Sequence, residues 1–140
     1  MSEIEIAYII HPLKGDEHFT LEQNIERVRG ICKNLYSKRL MPIAVHLYFT
    51  QFMDDTKKED RELGLEFDLE ILRRGFINKI LACGHKVSTG MNLELNVIRE
   101  RTLPLICKEE QTIAPLEKHL RDIMGVKTCL EIDKPYLWKT

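Results

Sequence analysis

The 140-residue sequence lacks several features that would assign it to a function class at once. None of its apolar runs reaches the roughly 18–20 residues that a membrane-spanning helix needs. Its formal net charge of −1 gives it no basic excess, the main electrostatic mark of proteins that bind nucleic acid. The acidic beginning, MSEIEIAYII, is not typical of a secretory signal. We therefore expect a cytoplasmic protein with neither a membrane nor a nucleic acid among its partners.

The four cysteines contain no C-x-x-C pair, the spacing typical of zinc sites and of redox-active thiols. Each lies in or beside an apolar stretch, so we expect buried, reduced thiols at Cys32, Cys83, Cys107 and Cys129. His85 follows Cys83 at a distance that suggests half a metal site, but no second cluster accompanies it. The sequence predicts no metal and no cofactor.

What the sequence contains is an alternation of strand-like and helix-like segments. Apolar runs predict strands over residues 4–10, 42–45, 76–83 and 103–107, with 126–132 as a candidate fifth strand. Apolar residues at helical spacing predict helices over 21–39, 59–74 and 113–124, and one that begins near Ser88 or Thr89. The helix over 59–74 is expected to place Leu63, Phe67 and Ile71 on one line. This order predicts a single α/β domain over residues 1–140, a three-layer sandwich that is flavodoxin-like or Rossmann-like, with a parallel sheet of about five strands.

In such a sheet, ligands bind outside the carboxyl ends of the strands. The loop after the first strand contains His11 and Gly15 and leads into a helix, so its backbone amides suit a phosphate or a sugar hydroxyl. That loop has neither the G-x-G-x-x-G fingerprint nor the Walker lysine pattern, which argues against a dinucleotide or a triphosphate.

A second segment, after the strand at 42–45, is rich in aromatic residues and suits the wall of a flat ligand. It contains His46 and Tyr48 and is followed by Asp54 and Asp55. For His46 both ligand contact and packing remain open, and the loop acids are either solvated or functional.

Glu94 is the least expected residue in the chain. In a helix that begins near Ser88, Glu94 lies in the middle of an arc of apolar side chains. Buried acids are costly unless they have a partner. Glu94 is therefore a candidate functional acid, although pairing with Arg101 or exposure through a different helix phase would also account for it.

With these residues in view, the chain resembles the nucleoside 2-deoxyribosyltransferase-like superfamily, especially its branch of small bacterial and phage proteins. The matching segments are 7–12 (AYIIHP) with Gly15, Asn24, 42–49 (PIAVHLYF), 51–55 (QFMDD), 59–65 (EDRELGL), 87–91 (VSTGM) with Glu94, and 103–105 (LPL).

The resemblance implies cleavage of the N-glycosidic bond of a nucleoside or nucleotide. By this resemblance, Glu94 is the nucleophile that forms a glycosyl-enzyme intermediate, and Tyr8 orients it or contacts the sugar. Asp54 or Asp55 is the expected acid at the base. The expected substrate-binding residues are His11, Gly15, His46, Tyr48, Ser88, Gly90 and Met91. The resemblance also implies a homo-oligomer.

Two other functions remain open at this point. One is a catalytically inactive module of the same fold that binds a nucleotide or an ADP-ribose derivative. The other is an assembly protein, for which the sequence offers no positive feature.

Overall fold

The computed structural model describes residues 3–125 and 127–138. The strands are β1 (Glu5–Ile10), β2 (Leu40–Ile43), β3 (Lys79–Ala82), β4 (Leu105–Cys107) and β5 (Pro135–Tyr136). The helices are α1 (Leu21–Leu35), α2 (Val45–Phe49), α3 (Lys58–Arg73), α4 (Thr89–Glu100) and α5 (Glu110–Met124).

The five strands form one sheet in the order β2-β1-β3-β4-β5. The first four are parallel, and β5 runs antiparallel to β4. β1 lies between β2 and β3, so Tyr8 pairs with Ile43 on one side and with Ile80 on the other. The predicted α/β architecture with a mostly parallel sheet is confirmed.

Apolar side chains of β1 alternate between the two faces of the sheet. Tyr8 and Ile10 belong to the larger core, which includes Leu72 of α3 and Leu95 of α4. Ala7 and Ile9 belong to a smaller core, against which side chains of α1 pack, namely Ile31, Cys32 and Leu35. Helices thus cover both faces, and β1 has no exposed residue from Ala7 to Ile10. This is the burial expected of a central parallel strand.

Three predicted element positions are corrected. Residues 127–132 contain no strand, since the fifth strand is the short β5 further along the chain. The second strand lies at Leu40–Ile43, and Val45, predicted as its last residue, already begins a short helix, α2. The third strand is only Lys79–Ala82, because the chain before it forms an irregular approach to the sheet.

α3 also differs from its predicted phase. Leu63 and Phe67, expected on the inner line, are 43% and 37% exposed, whereas Leu72 is fully buried. Leu63 and Phe67 therefore form part of the surface, whereas Ile71 packs against the core. The inner face includes Asp68 and Leu72, which are four residues apart.

Trp138 packs in the larger core beside the sheet. The indole Nε1 of Trp138 donates a hydrogen bond to the carbonyl oxygen of Leu103 at 2.8 Å, and the side chain is largely buried. Among residues 3–125 and 127–138, no helix has the length and apolar character needed to cross a membrane.

Candidate functional site

A cavity of about 660 Å³ opens at the carboxyl edge of the sheet. It lies between the loop after β1, the helices α2 and α3, and the beginning of α4. Its volume is in the range of small-molecule binding sites, and its position is the one at which open parallel sheets bind ligands.

At this edge of the sheet, the loop after β3 closely approaches the loop after β1. Gly84, after β3, has a φ of +100°, and a Cβ atom there would lie 2.4 Å from Cδ of Pro12, after β1. Only glycine allows both this backbone conformation and this approach. The requirement explains why the G of the CGH segment follows the buried strand β3.

The loop after β1 is held by Asp16. Its carboxylate accepts hydrogen bonds from the backbone of His18 and Phe19 at 2.8 and 2.9 Å, and contacts the side chains of His85 and Lys86 at 2.8 and 2.7 Å. The bond from Lys86, with these further donors, lowers the pKa of Asp16. His85 is thus mostly buried against Asp16, not exposed as a free loop residue would be.

α4 begins at the cavity wall. The Ser88 hydroxyl accepts a hydrogen bond from the backbone N–H of Met91 at 3.2 Å, so Ser88 is the N-cap that the sequence indicated. This cap fixes the phase of α4 and places Glu94 on its buried face, together with Leu95, Val97 and Ile98.

Glu94 accepts a hydrogen bond from Tyr8 within the core. The Tyr8 hydroxyl donates a hydrogen bond of 2.6 Å to Oε2 of Glu94, across 86 residues of sequence. Tyr8 is fully buried beneath the cavity, whereas Glu94 is 6% exposed and lines it. Burial and the nearby acids Glu94 and Asp68 raise the pKa of Tyr8 well above its usual value, so the phenol remains a donor. The bond replaces the alternative pairing with Arg101, which is exposed at the end of α4.

Asp68 is the functional candidate that the sequence analysis missed. It lines the same cavity from α3, and within the described part of the chain its Oδ1 is buried without a hydrogen-bond partner. Burial raises the pKa of Asp68, and burial followed by the Asp68 charge raises the pKa of Glu94. Glu94 is buried, Asp68 is half-buried, and the Asp68 charge raises the pKa of Glu94, so the pair favours a state in which one of the two carboxyls is protonated. Asp68 lies four residues before the buried Leu72, and this spacing, which puts both residues on one face of α3, was the signal in the sequence. The apolar residues Leu63 and Phe67 indicated a different inner face.

Two histidines line the cavity opposite these acids. His11 and His46 are 4% and 8% exposed, and burial lowers the pKa of both, that of His46 to about 4. Nδ1 of His11 lies 2.6 Å from the carbonyl oxygen of Pro12, which fixes Nδ1 as the protonated nitrogen. Both imidazoles are therefore neutral near pH 7.

The two candidate acids of the loop, Asp54 and Asp55, occupy different positions relative to the cavity. Asp55 lines the cavity, and partial burial raises its pKa. Asp54 lies outside the cavity wall, and its Oδ1 accepts hydrogen bonds from the backbone and the hydroxyl of Thr56 at 3.0 and 2.5 Å. Asp54 therefore shapes the turn before α3.

The remaining predicted binding residues are placed as follows. Gly15, Ser88, Gly90 and Met91 line the cavity. Tyr48 does not: it is 65% exposed and contacts the rings of Phe49 and Phe52 at the surface.

The thiols are only partly as expected. Cys83 and Cys107 are buried and free, but Cys32 is half-buried and Cys129 is exposed, because Cys129 follows α5 in a segment that is not a strand. Among the described residues, no group of three or more His, Cys, Asp or Glu side chains is arranged to hold a metal ion.

Comparison with known proteins gives one match. The sequence model of a family described as a domain of unknown function, DUF7768, matches residues 5–108. This segment contains β1 to β4 and the residues that line the cavity, among them Asp55, Asp68 and Glu94, whereas α5 and β5 lie beyond it. No curated protein and no solved structure matches the chain. Since the match spans most of the chain and all of the cavity, the protein belongs to the DUF7768 family.

Proposed function

We propose that this protein is a nucleoside or nucleotide N-glycosidase, or a 2-deoxyribosyltransferase-like enzyme, that cleaves the N-glycosidic bond through Glu94. The observation that carries the proposal is a buried glutamate, held by a tyrosine at 2.6 Å, in a cavity with a second carboxyl of raised pKa. The resemblance to the nucleoside 2-deoxyribosyltransferase-like superfamily adds the reaction class.

Glu94 supplies the nucleophile in this mechanism. Tyr8 donates to Oε2, which orients the carboxylate and leaves Oε1 for the anomeric carbon of the sugar. Oε1 forms a bond to C1′ while the C1′–N bond to the base breaks, which gives a glycosyl ester on Glu94. Water, or a second base in a transfer reaction, then attacks C1′ and releases the Glu94 carboxylate.

Asp68 supplies the proton. The electron pair of the breaking C1′–N bond moves onto the base, and the base nitrogen takes a proton from the Asp68 carboxyl. A pair of carboxyls that holds one proton meets both requirements when the proton is on Asp68 and Glu94 is charged, and the hydrogen bond from Tyr8 favours the charged form of Glu94. In the second step, the Asp68 carboxylate accepts the proton of the attacking water. Asp55, the loop acid in the cavity, is placed to contact the ligand further out.

The rest of the cavity would bind the substrate. The beginning of α4 at Ser88 and Gly90 suits a 5′-hydroxyl or 5′-phosphate, because the first amides of a helix have no partner within it. The neutral imidazoles of His11 and His46 suit hydrogen bonds with uncharged groups of the ligand. The proposal includes no cofactor, a cytoplasmic location and, by the resemblance, assembly into a homo-oligomer.

The direct test is release of free base. The protein is incubated with a panel of ribo- and deoxyribonucleosides and their 5′-monophosphates, and the free bases are separated by chromatography. We expect release from at least one member, and a loss of at least a thousandfold in Glu94→Ala. Glu100→Ala, at the exposed end of the same helix, is the matched control and should retain the full rate.

A second function is favoured by one observation. Burial and the Asp68 charge favour the neutral form of Glu94, whereas a nucleophile must be charged. A module that only binds a nucleotide or an ADP-ribose derivative would use Glu94 as a hydrogen-bonding group. Absence of base release across the panel, together with a melting temperature raised by one of these ligands, would establish binding instead of catalysis.

A further inference from the structure

Four of the seven glycines are required by the fold itself. Gly75, Gly84 and Gly125 have positive φ values, which favour glycine. A Cβ atom at Gly15 would lie 3.2 Å from the backbone nitrogen of Leu21, tighter than an ordinary contact. The local backbone or its packing accounts for each of these four.

The other three glycines lie within helices and have room for a side chain. A Cβ atom at Gly64 of α3 would meet nothing closer than Cε of Met53 at 3.9 Å, and one at Gly90 of α4 nothing closer than Cδ1 of Leu65 at 3.9 Å. At Gly30 of α1 nothing lies within 4 Å. Alanine would favour the helix at such positions, since glycine is the poorest helix former after proline.

The cavity distinguishes these three positions. Gly64 and Gly90 line it, whereas Gly30 lies on α1, away from its wall. Gly64 is in the middle of α3, one helical turn before Asp68, so the bare backbone faces the space in front of the acid pair. Met53 and Leu65 are the apolar neighbours of Gly64 in the wall, and the charged residues Asp60 and Arg61, one turn before it, also line the cavity.

We infer that Gly64 is a specificity-determining residue, whose missing side chain leaves a flat apolar surface for the aromatic base of the ligand, with Gly90 widening the same space. This inference rests on the proposed function for the identity of the ligand. An apolar ring stacked along this surface would place its glycosidic bond beside Asp68 and Glu94. A methyl group at Gly64 would enter the volume of the ring without a close contact, because the atom nearest to a Cβ there is Cε of Met53 at 3.9 Å.

The test compares Gly64→Ala and Gly64→Leu with the matched variants Gly30→Ala and Gly30→Leu. Melting temperatures are measured without ligand, and calorimetric titration gives the affinity for dAMP, dGMP, dCMP and dTMP. We expect both alanine variants to melt about 4 °C higher, because each strengthens a helix. Gly64→Ala should weaken the tightest-binding monophosphate at least tenfold and Gly64→Leu should abolish its binding, whereas both Gly30 variants stay within twofold of the unmodified protein.

Two results would overturn the inference: a lower melting temperature for Gly64→Ala, which would show that packing requires glycine there, or an unchanged affinity. A second probe separates this inference from the proposed function. If no monophosphate binds the unmodified protein and no nucleoside or nucleotide of the panel releases free base, the proposed function fails, and fluorescence of the flat aromatic anion 8-anilinonaphthalene-1-sulfonate decides the role of Gly64. Dye binding lost in Gly64→Leu but kept in Gly30→Leu supports the flat surface, and equal binding in the two variants refutes it.

Discussion

Tyr8 and Glu94 show how one residue can determine the properties of another far along the chain. The phenol donates to the carboxylate within the core, and this bond is the one contribution that lowers the pKa of Glu94 against the larger effects of burial and Asp68. Tyr8 therefore favours the charged form that a nucleophile requires. Its position on the central strand makes the donor rigid, since its neighbours from Ala7 to Ile10 are fully buried.

Tyr8→Phe removes this donor while it keeps the aromatic ring in the core. We expect base release to fall about 10–100-fold. The loss of the hydrogen bond should raise the pKa of Glu94 further, so the rate should reach its plateau at a higher pH than in the unmodified protein. The measurement is the pH profile of kcat/KM for base release. Tyr36→Phe, at an exposed tyrosine, is the control. A uniform loss with an unshifted profile would mean that Tyr8 only packs.

At the scale of the elements, two N-caps allow a matched comparison. Thr20 caps α1 in a capping box with Gln23, and Ser88 caps α4 by accepting from Met91. Only the second cap lies at the cavity. The two helices therefore depend on similar caps, but one of them also positions the candidate nucleophile.

Thr20→Ala and Ser88→Ala should each lower the free energy of unfolding by about 1 kcal/mol. Ser88→Ala should in addition raise KM for base release severalfold, because the beginning of α4 then positions the ligand less well. Urea denaturation and steady-state kinetics measure the two effects. Equal kinetics in the two variants would show that the beginning of α4 makes no contact with the substrate.

The sequence predicted best the elements whose buried residues form a simple pattern of apolar residues. The continuous apolar run of β1 and the apolar arc around Glu94 correspond to real burial. α3 was phased wrongly because Leu63 and Phe67 are large apolar residues that the surface exposes. That error hid Asp68, an acid whose role depends on its position in the same cavity as Glu94, which no local pattern encodes. β5 was missed because two antiparallel residues at an edge leave no periodicity to detect.

At the scale of the whole molecule, the order of strands and helices was enough to predict the architecture and the edge at which the cavity opens. The sequence could not show which side chains at that edge share the cavity. Asp54 and Asp55 are adjacent in sequence, yet only Asp55 lines it. Likewise, the resemblance proposed a binding role for Tyr48, which the fold places at the surface.

The acid pair also affects the stability of the whole molecule. Burial raises the pKa values of Glu94 and Asp68 in the folded protein above those in the unfolded chain. At a pH between the carboxyl pKa of the unfolded chain and the raised pKa values of the folded protein, the folded state binds more protons than the unfolded state. The free energy of unfolding therefore falls as the pH rises. This contribution to the free energy of unfolding is fully present below the carboxyl pKa of the unfolded chain, and it is lost as the pH rises through the raised pKa values. Above those values the dependence levels off.

The most direct test of the acid pair is therefore the free energy of unfolding between pH 4.5 and about pH 9. Urea denaturation is compared for the unmodified protein, Glu94→Gln, Asp68→Asn and the exposed control Glu100→Gln. We predict that Glu94→Gln and Asp68→Asn gain stability relative to the unmodified protein as the pH rises, by about 2 kcal/mol or more at the alkaline end. Glu100→Gln should follow the unmodified protein. Parallel curves for all four proteins would contradict the account, because they would show that no proton is held between Glu94 and Asp68.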